Sequence, residues 1–165
     1  MEPKFTSHIV KGLIIAAILV VLDLVARKSG VRVDESFIKW LPGTIMILGF
    51  TFSGWYYAKQ LDGQVSFGTV FAHGFKTAAV TICMLALYTW ISVKFLYPEF
   101  AEETFKNAAE QLAKEKNIMP GEVQAKATEA AKKAWILAVS GVLFLGLIFG
   151  LIGASLGAAI AKKKL

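Results

Sequence analysis

The sequence is poorest in the groups that hold small secreted domains together or do chemistry. It has a single cysteine, Cys83, in 165 residues. An intramolecular disulfide is therefore excluded, and so is a four-cysteine metal site. Cys83 lies inside an apolar run, where a lone thiol serves as a small apolar side chain. The two histidines, His8 and His73, have no cysteine or carboxylate cluster beside them at metal-ligand spacing. No stretch reads as a β-strand, so no glycine-rich phosphate loop follows one. No catalytic arrangement emerges, no cofactor is implied, and an enzyme is not expected.

What the chain has in excess is apolar length. Hydrophobic residues make up 56 % of it, too many for an ordinary soluble domain, and they cluster in four long runs. The run from Ala134 to Ala161 carries no charge and ends on Lys162, Lys163 and Lys164. As a helix it is about 42 Å long at ~1.5 Å per residue, against a hydrocarbon core of about 30 Å. The net charge of +6 does not point to nucleic acid, because the basic residues sit at the ends of apolar runs as membrane flanks do. The first run begins near Lys4 and Lys11, like a secretion signal. Cleavage after Ala26 would put Leu24 where a small residue is needed, so an uncleaved span is expected.

The fold class that follows is all-α: one integral membrane domain, a four-helix bundle. Its spans run about 9–26, 38–58, 76–96 and 134–160, and a polar helical hairpin at about 98–133 joins the third to the fourth. Asp23 and Arg27 are spaced to pair at the end of the first span. Trp40 and Trp55-Tyr56-Tyr57 form aromatic belts at the ends of the second, and Pro42 falls in its first turns. Asp62-Gly63 marks a turn, and Ser66 is a cap for the third helix. That helix begins amphipathically at Phe67, carrying His73 and Lys76, and enters the bilayer at Ala78. Trp90, Lys94 and Tyr97 mark its exit. Parallel first and third spans would put Asp23 and Lys94 at one membrane surface, where they pair with each other or Asp23 pairs with Arg27.

The hairpin arms are read from two apolar stripes: Phe105, Ala108, Ala109 and Leu112, then Val123, Ala127, Ala130, Ala131 and Ala134. A turn is expected at Asn117–Gly121, and a nearly continuous helix from about Glu122 to Ala161. The last span also presents Gly146, Gly150, Gly153 and Gly157 at helical spacing, as two Gly-x-x-x-Gly pairs. Gly49 and Ser53 make a similar small-residue pair in the second span. In lipid such residues let backbones approach. They serve packing within the chain or an interface with a partner protein or a second copy.

The string Val65-Ser-Phe-Gly-Thr-Val-Phe-Ala-His-Gly-Phe75, with Tyr-Pro-Glu at 97–99, the acidic helical stretch after it and a glycine-rich last span, resembles the bacterial family called domain of unknown function 4199. The likeness in layout covers nearly the whole chain. It implies a small four-helix membrane protein and carries no activity with it.

Ionisable residues within spans are the default functional candidates. Lys11, Asp23, Lys76 and Lys94 all sit near span ends, where lysines snorkel, and none sits at mid-depth where a coupled ion site would want one. The reading is a noncatalytic membrane protein that packs against or scaffolds other membrane proteins. The alternative is a small transporter or channel subunit. The bacterial inner membrane is the expected location. Counts of basic residues near the span ends balance, and the triple lysine with the even number of spans favours cytoplasmic termini.

Overall fold

The computed structural model describes residues 7–29, 40–61, 65–97, 99–114 and 119–163. The polar turn around Arg32, Asp34 and Glu35, the start of the second span at 38, the Asp62-Gly63 turn, Pro98 and Asn117 lie outside them. The described residues form six helices: α1 His8–Lys28, α2 Leu41–Gln60, α3 Phe67–Ile91, α4 Glu99–Ala113, α5 Pro120–Lys132 and α6 Ala134–Lys163. No strand occurs among them. Three segments are long and apolar enough to cross a membrane: His8–Lys28, Phe67–Leu96 and Ala134–Lys162.

α2 falls short of the other three in apolarity. Pro42, Thr44, Thr51, Ser53 and the Trp55-Tyr56-Tyr57 end dilute its apolar residues. α3 is one continuous helix from Phe67, and a π-helical turn, Ser92–Leu96, extends it. In that turn the Tyr97 N–H donates to the Ser92 carbonyl at 2.8 Å, one residue further back than an α-helical bond reaches. The expected single helix from Glu122 to Ala161 is realised as α5 and α6, parted by Lys133 alone (φ −96°, ψ 4°). Hydrogen bonds run across that residue: its N–H donates to the Glu129 carbonyl at 3.1 Å, and its carbonyl accepts from Ile136 at 2.9 Å.

The chain divides into two compact units, residues 1–85 with 143–165, and residues 86–142. In the first unit each helix buries one face. α1 buries Gly12, Ile15, Ala16 and Leu19, the i, i+3, i+4, i+7 stripe of a helix with one covered side. α2 buries Met46, Phe50, Ser53, Gly54 and Ala58. α3 buries Val70, Gly74, Thr77, Ala78, Thr81 and Ile82. These three faces meet in a core of Ile15, Leu19, Met46, Phe50, Ala78 and Ile82, and α6 joins through a second cluster of Ala58, Val70, Ala158 and Ala161. Phe50 is fully enclosed. The outer faces of α1 and α6 are apolar too, with Ile14, Val21, Phe144 and Leu151 exposed.

The second unit is built differently. α4 and α5 pack on one another. Their covered residues are Phe105, Ala108, Ala109 and Leu112 from α4, and Val123, Ala127, Ala130 and Ala131 from α5. Glu99 and Glu102 occupy the first turn of α4 and Glu122 that of α5, where negative charge complements the helix dipole.

Candidate functional site

The richest polar constellation lies where α1 begins, α2 ends and α3 begins. Two serines set it up. Ser7 caps α1, its Oγ accepting from the Ile9 N–H at 3.2 Å. That cap fixes His8 and Lys11 in the first turn. Ser66 caps α3, accepting from the Thr69 N–H at 3.2 Å and pairing with the Thr69 hydroxyl at 2.9 Å. Two turns later α3 presents His73, Lys76 and Thr77.

Lys11 reaches across to both neighbouring helices. Its Nζ donates to the Ser53 carbonyl at 3.3 Å and lies 3.2 Å from His73 Nε2. It also lies 5.1 Å from the centre of the Tyr56 ring, within cation–π range. An ammonium donates and cannot accept. With Lys11 charged, Nε2 is therefore the acceptor and the ring hydrogen sits on Nδ1. The imidazole is held flat on Tyr57, ring centres 3.9 Å apart and 5° from parallel, with the His8 ring edge-on at 5.9 Å.

Below this cluster a ladder of hydroxyls descends into the bundle. Thr77 Oγ1 donates to the His73 carbonyl at 3.1 Å, so its 2.8 Å contact with Ser53 Oγ is one in which the serine donates. Thr81 Oγ1 lies 3.0 Å from the Gly12 carbonyl and 3.1 Å from that of Thr77. Thr77 and Thr81 are fully enclosed. Away from the ladder a cavity of about 740 Å³ opens, lined by His8, His73, Lys76 and Tyr57 together with the capping residues of α1 and α3. Among the described residues no group of three His, Cys, Asp or Glu side chains could hold a metal ion.

The small residues singled out in the sequence lie within the first unit. Gly146, Gly150, Gly153 and Gly157 are all buried. A Cβ added at Gly146 would stand 2.8 Å from Ile82 Cγ1, and at Gly150 2.9 Å from Ala78 Cβ, both on α3. At Gly153 it would stand 2.8 Å from Phe50 Cβ, and at Gly157 2.6 Å from the Thr51 carbonyl oxygen, both on α2. The seam is also hydrogen-bonded, since Thr51 Oγ1 donates to the Gly153 carbonyl at 3.1 Å. Gly49 faces α1, where a Cβ would stand 2.9 Å from Ile15 Cδ1. Of the charges, Arg27 Nε pairs with Asp23 Oδ2 at 2.8 Å. Lys94 lies over two indoles, 5.5 Å from the Trp90 ring and 4.9 Å from that of Trp135.

By sequence, Lys11 and His73 are separate interfacial side chains, and the fold is what brings them together. Sixty-two positions separate them, and no local spacing links residues so far apart. One signal is present. His8-Ile-Val-Lys11 and His73-Gly-Phe-Lys76 repeat a His-x-x-Lys pattern, one copy near the start of α1 and one near the start of α3.

Over residues 10–163 the chain matches the family described as "Protein of unknown function (DUF4199)". Neither a curated protein nor a solved structure matches it.

Proposed function

The chain belongs to the DUF4199 family of proteins of unknown function, and from that premise we propose a noncatalytic four-span membrane protein that serves as an accessory or scaffold to other membrane proteins. In this reading α2 is the fourth span. It is modestly apolar, but α1, α3 and α6 pack against it, and Leu48 and Phe52 keep its open face apolar. Phe50 is fully buried, and Lys11, Thr77 and Gly157 each meet α2 directly. A helix that turns its polar groups to neighbouring spans, as Thr51 and Ser53 are turned here, has no need of an apolar surface all round.

The observation that carries the accessory reading is where the glycine seam lies. It is used up inside the chain, so the spans offer lipid their apolar side chains. The polar part left over is the α4–α5 pair, taken here as a helical hairpin outside the bilayer. Its exposed Glu102, Glu103, Lys106 and Glu110 suit contact with a water-facing surface of a partner. The inner membrane of a bacterium and cytoplasmic termini complete the proposal. A Glu110→Cys probe in a Cys83→Ala background tests orientation in intact cells. Labelling by a membrane-impermeant thiol reagent is expected, and labelling only after lysis reverses the topology.

A second reading, a small transporter or channel subunit, draws support from the Lys11–His73–Thr77–Ser53 cluster, of which His73 also lines a cavity. One experiment separates the two. The protein is purified in mild detergent, its mass and stoichiometry are measured, and it is reconstituted alone for ion and solute flux. A partner at fixed stoichiometry, lost when Glu102 and Lys106 are both reversed in charge, supports the accessory role. Flux by the protein alone that Lys11→Met abolishes overturns it in favour of the second reading.

A further inference from the structure

We propose that the cavity between the starts of α1 and α3 and the end of α2 binds an anionic phosphate group. The group could belong to a membrane phospholipid or to a soluble phosphate.

The cavity converges hydrogen-bond donors from two helices. His8 comes from α1, and His73 and Lys76 from α3. Lys11 stands behind His73, and its ammonium makes Nε2 an acceptor. That contact turns the remaining ring hydrogen, on Nδ1, into a donor available away from Lys11. No acidic residue occurs among the described lining residues. Lys76, and Lys11 behind His73, hold positive charge that nothing acidic in the described lining offsets, which is costly beside a bilayer unless an anion joins them. Stacking on Tyr57 holds the His73 ring in place before any ligand arrives, which reduces the ordering cost of binding.

The backbone adds to this. α3 starts at the cavity wall; Ser66 takes the Thr69 and Val70 N–H groups, and those of Phe67 and Gly68 ahead of them in the first turn have no partner within the helix. Gly68 sits in that turn. A Cβ there would meet only Ser66 Oγ, at 3.9 Å. Packing therefore does not require a glycine at this position, and its bare backbone leaves room for a ligand to come close. A phosphate has several acceptor oxygens and matches donors arriving from more than one side. A space of about 740 Å³ also leaves room for whatever the phosphate is attached to.

The test uses the full chain in nanodiscs of a zwitterionic lipid. One arm titrates inorganic phosphate. The other incorporates phosphatidylglycerol and counts retained lipid by native mass spectrometry. The variants are His8→Gln with Lys76→Gln, which removes two donors, and Gly68→Leu, which fills the space at constant charge. Lys59→Gln is the control, because it removes a cation that lies over Trp55 and does not line the cavity. Saturable binding is expected, at least tenfold weaker in both test variants and within twofold of wild type in the control. Binding of inorganic phosphate assigns a soluble ligand. Retention of phosphatidylglycerol without phosphate binding assigns a lipid headgroup. Absence of binding in both arms overturns the proposal, and so does equal loss in Lys59→Gln or unchanged binding in Gly68→Leu. The melting temperature of each variant is measured in parallel, so that a folding defect is not counted as lost binding. The outcome is independent of whether a protein partner exists.

Discussion

The glycine seam of α6 and the alanine face of α5 use small residues for different physical ends. Along α6 the contact is backbone against backbone: at Gly157 even a methyl group would fall 2.6 Å from a carbonyl oxygen. In lipid there is no water to expel from between helices, and attraction comes from close packing and hydrogen bonds. Glycine gives the closest approach, and the Thr51 hydroxyl uses it to reach the Gly153 carbonyl. On α5, Ala127 is fully buried among half-covered Phe105, Leu112 and Val123, and charged residues line the outside. With α4 and α5 outside the bilayer, as proposed, the drive is removal of apolar surface from water, and alanine keeps the helix propensity that glycine would lose. The same sequence signal, a stripe of small residues, thus reports the solvent around the helix as much as its neighbour.

Gly157→Leu should break the first half of that comparison most severely. The obstacle is a carbonyl oxygen and cannot rotate away, so the cost should reach or exceed the upper end of the usual overpacking range of about 1–3 kcal/mol. Loss of the monodisperse detergent-solubilised protein is the expected result. Leu147→Ala, at a side chain 47 % exposed, should stay within about 0.5 kcal/mol. Equal thermal stability of the two variants would mean that the seam does not hold the helices together.

Ala127→Leu tests the second half. The α4–α5 contact should weaken by about 1–3 kcal/mol, read as faster hydrogen exchange in α4 and α5. Unchanged exchange there would show that the alanine face is not under packing constraint.

Thr77→Val sharpens the comparison from the polar side. It keeps the shape and removes the hydroxyl that Ser53 and the His73 carbonyl share. Such interhelical hydrogen bonds are worth about 0.6 kcal/mol on average and up to about 1.7. A small drop in melting temperature is expected, and a collapse as large as that of Gly157→Leu would place the main hold in the hydroxyl ladder.

The smallest effect concerns Glu129. The hydrogen bond from Lys133 at 2.6 Å, and then the charge of that lysine, lower its pKa below the ordinary carboxylate value. A lowered carboxylate pKa means the contact helps above the unfolded value and is lost as pH falls through the folded one. In an NMR titration Glu129 should titrate below its ordinary value, and Lys133→Met should raise its midpoint. An ordinary midpoint in the wild type would remove the ion pair that spans the α5–α6 junction.

The membrane-crossing helices were legible because an apolar run of about twenty residues matches the thickness of a bilayer and exceeds what a buried core helix needs. The faces of α4 and α5 were legible because Phe105, Ala108, Leu112 and Ala127 obey the helical period on a polar background. α2 was harder, since its Thr, Ser and aromatic residues lower its apolarity for a reason the linear sequence does not display: Thr51 and Ser53 are hydrogen-bonded to α6 and α3. The break at Lys133 had no warning either, because lysine is an ordinary helix former. The polar site was hidden by its construction. Lys11, Ser53 and His73 come from three helices, and only tertiary contact makes them one group.

The Lys11–Ser53–His73 contact also bears on how the protein is made. Lys11 leaves the ribosome 42 residues before Ser53 and 62 before His73. At ~5–20 residues per second that is a wait of roughly 3–12 s for the histidine. For about the first two-thirds of that interval α1 holds an ammonium with neither of its eventual partners made, and for the rest only the Ser53 carbonyl exists. The first span is therefore delivered to the membrane unfinished. Its ammonium completes its contacts only after α3 has been made, so the last bond of this cluster waits on a helix two elements downstream of the lysine.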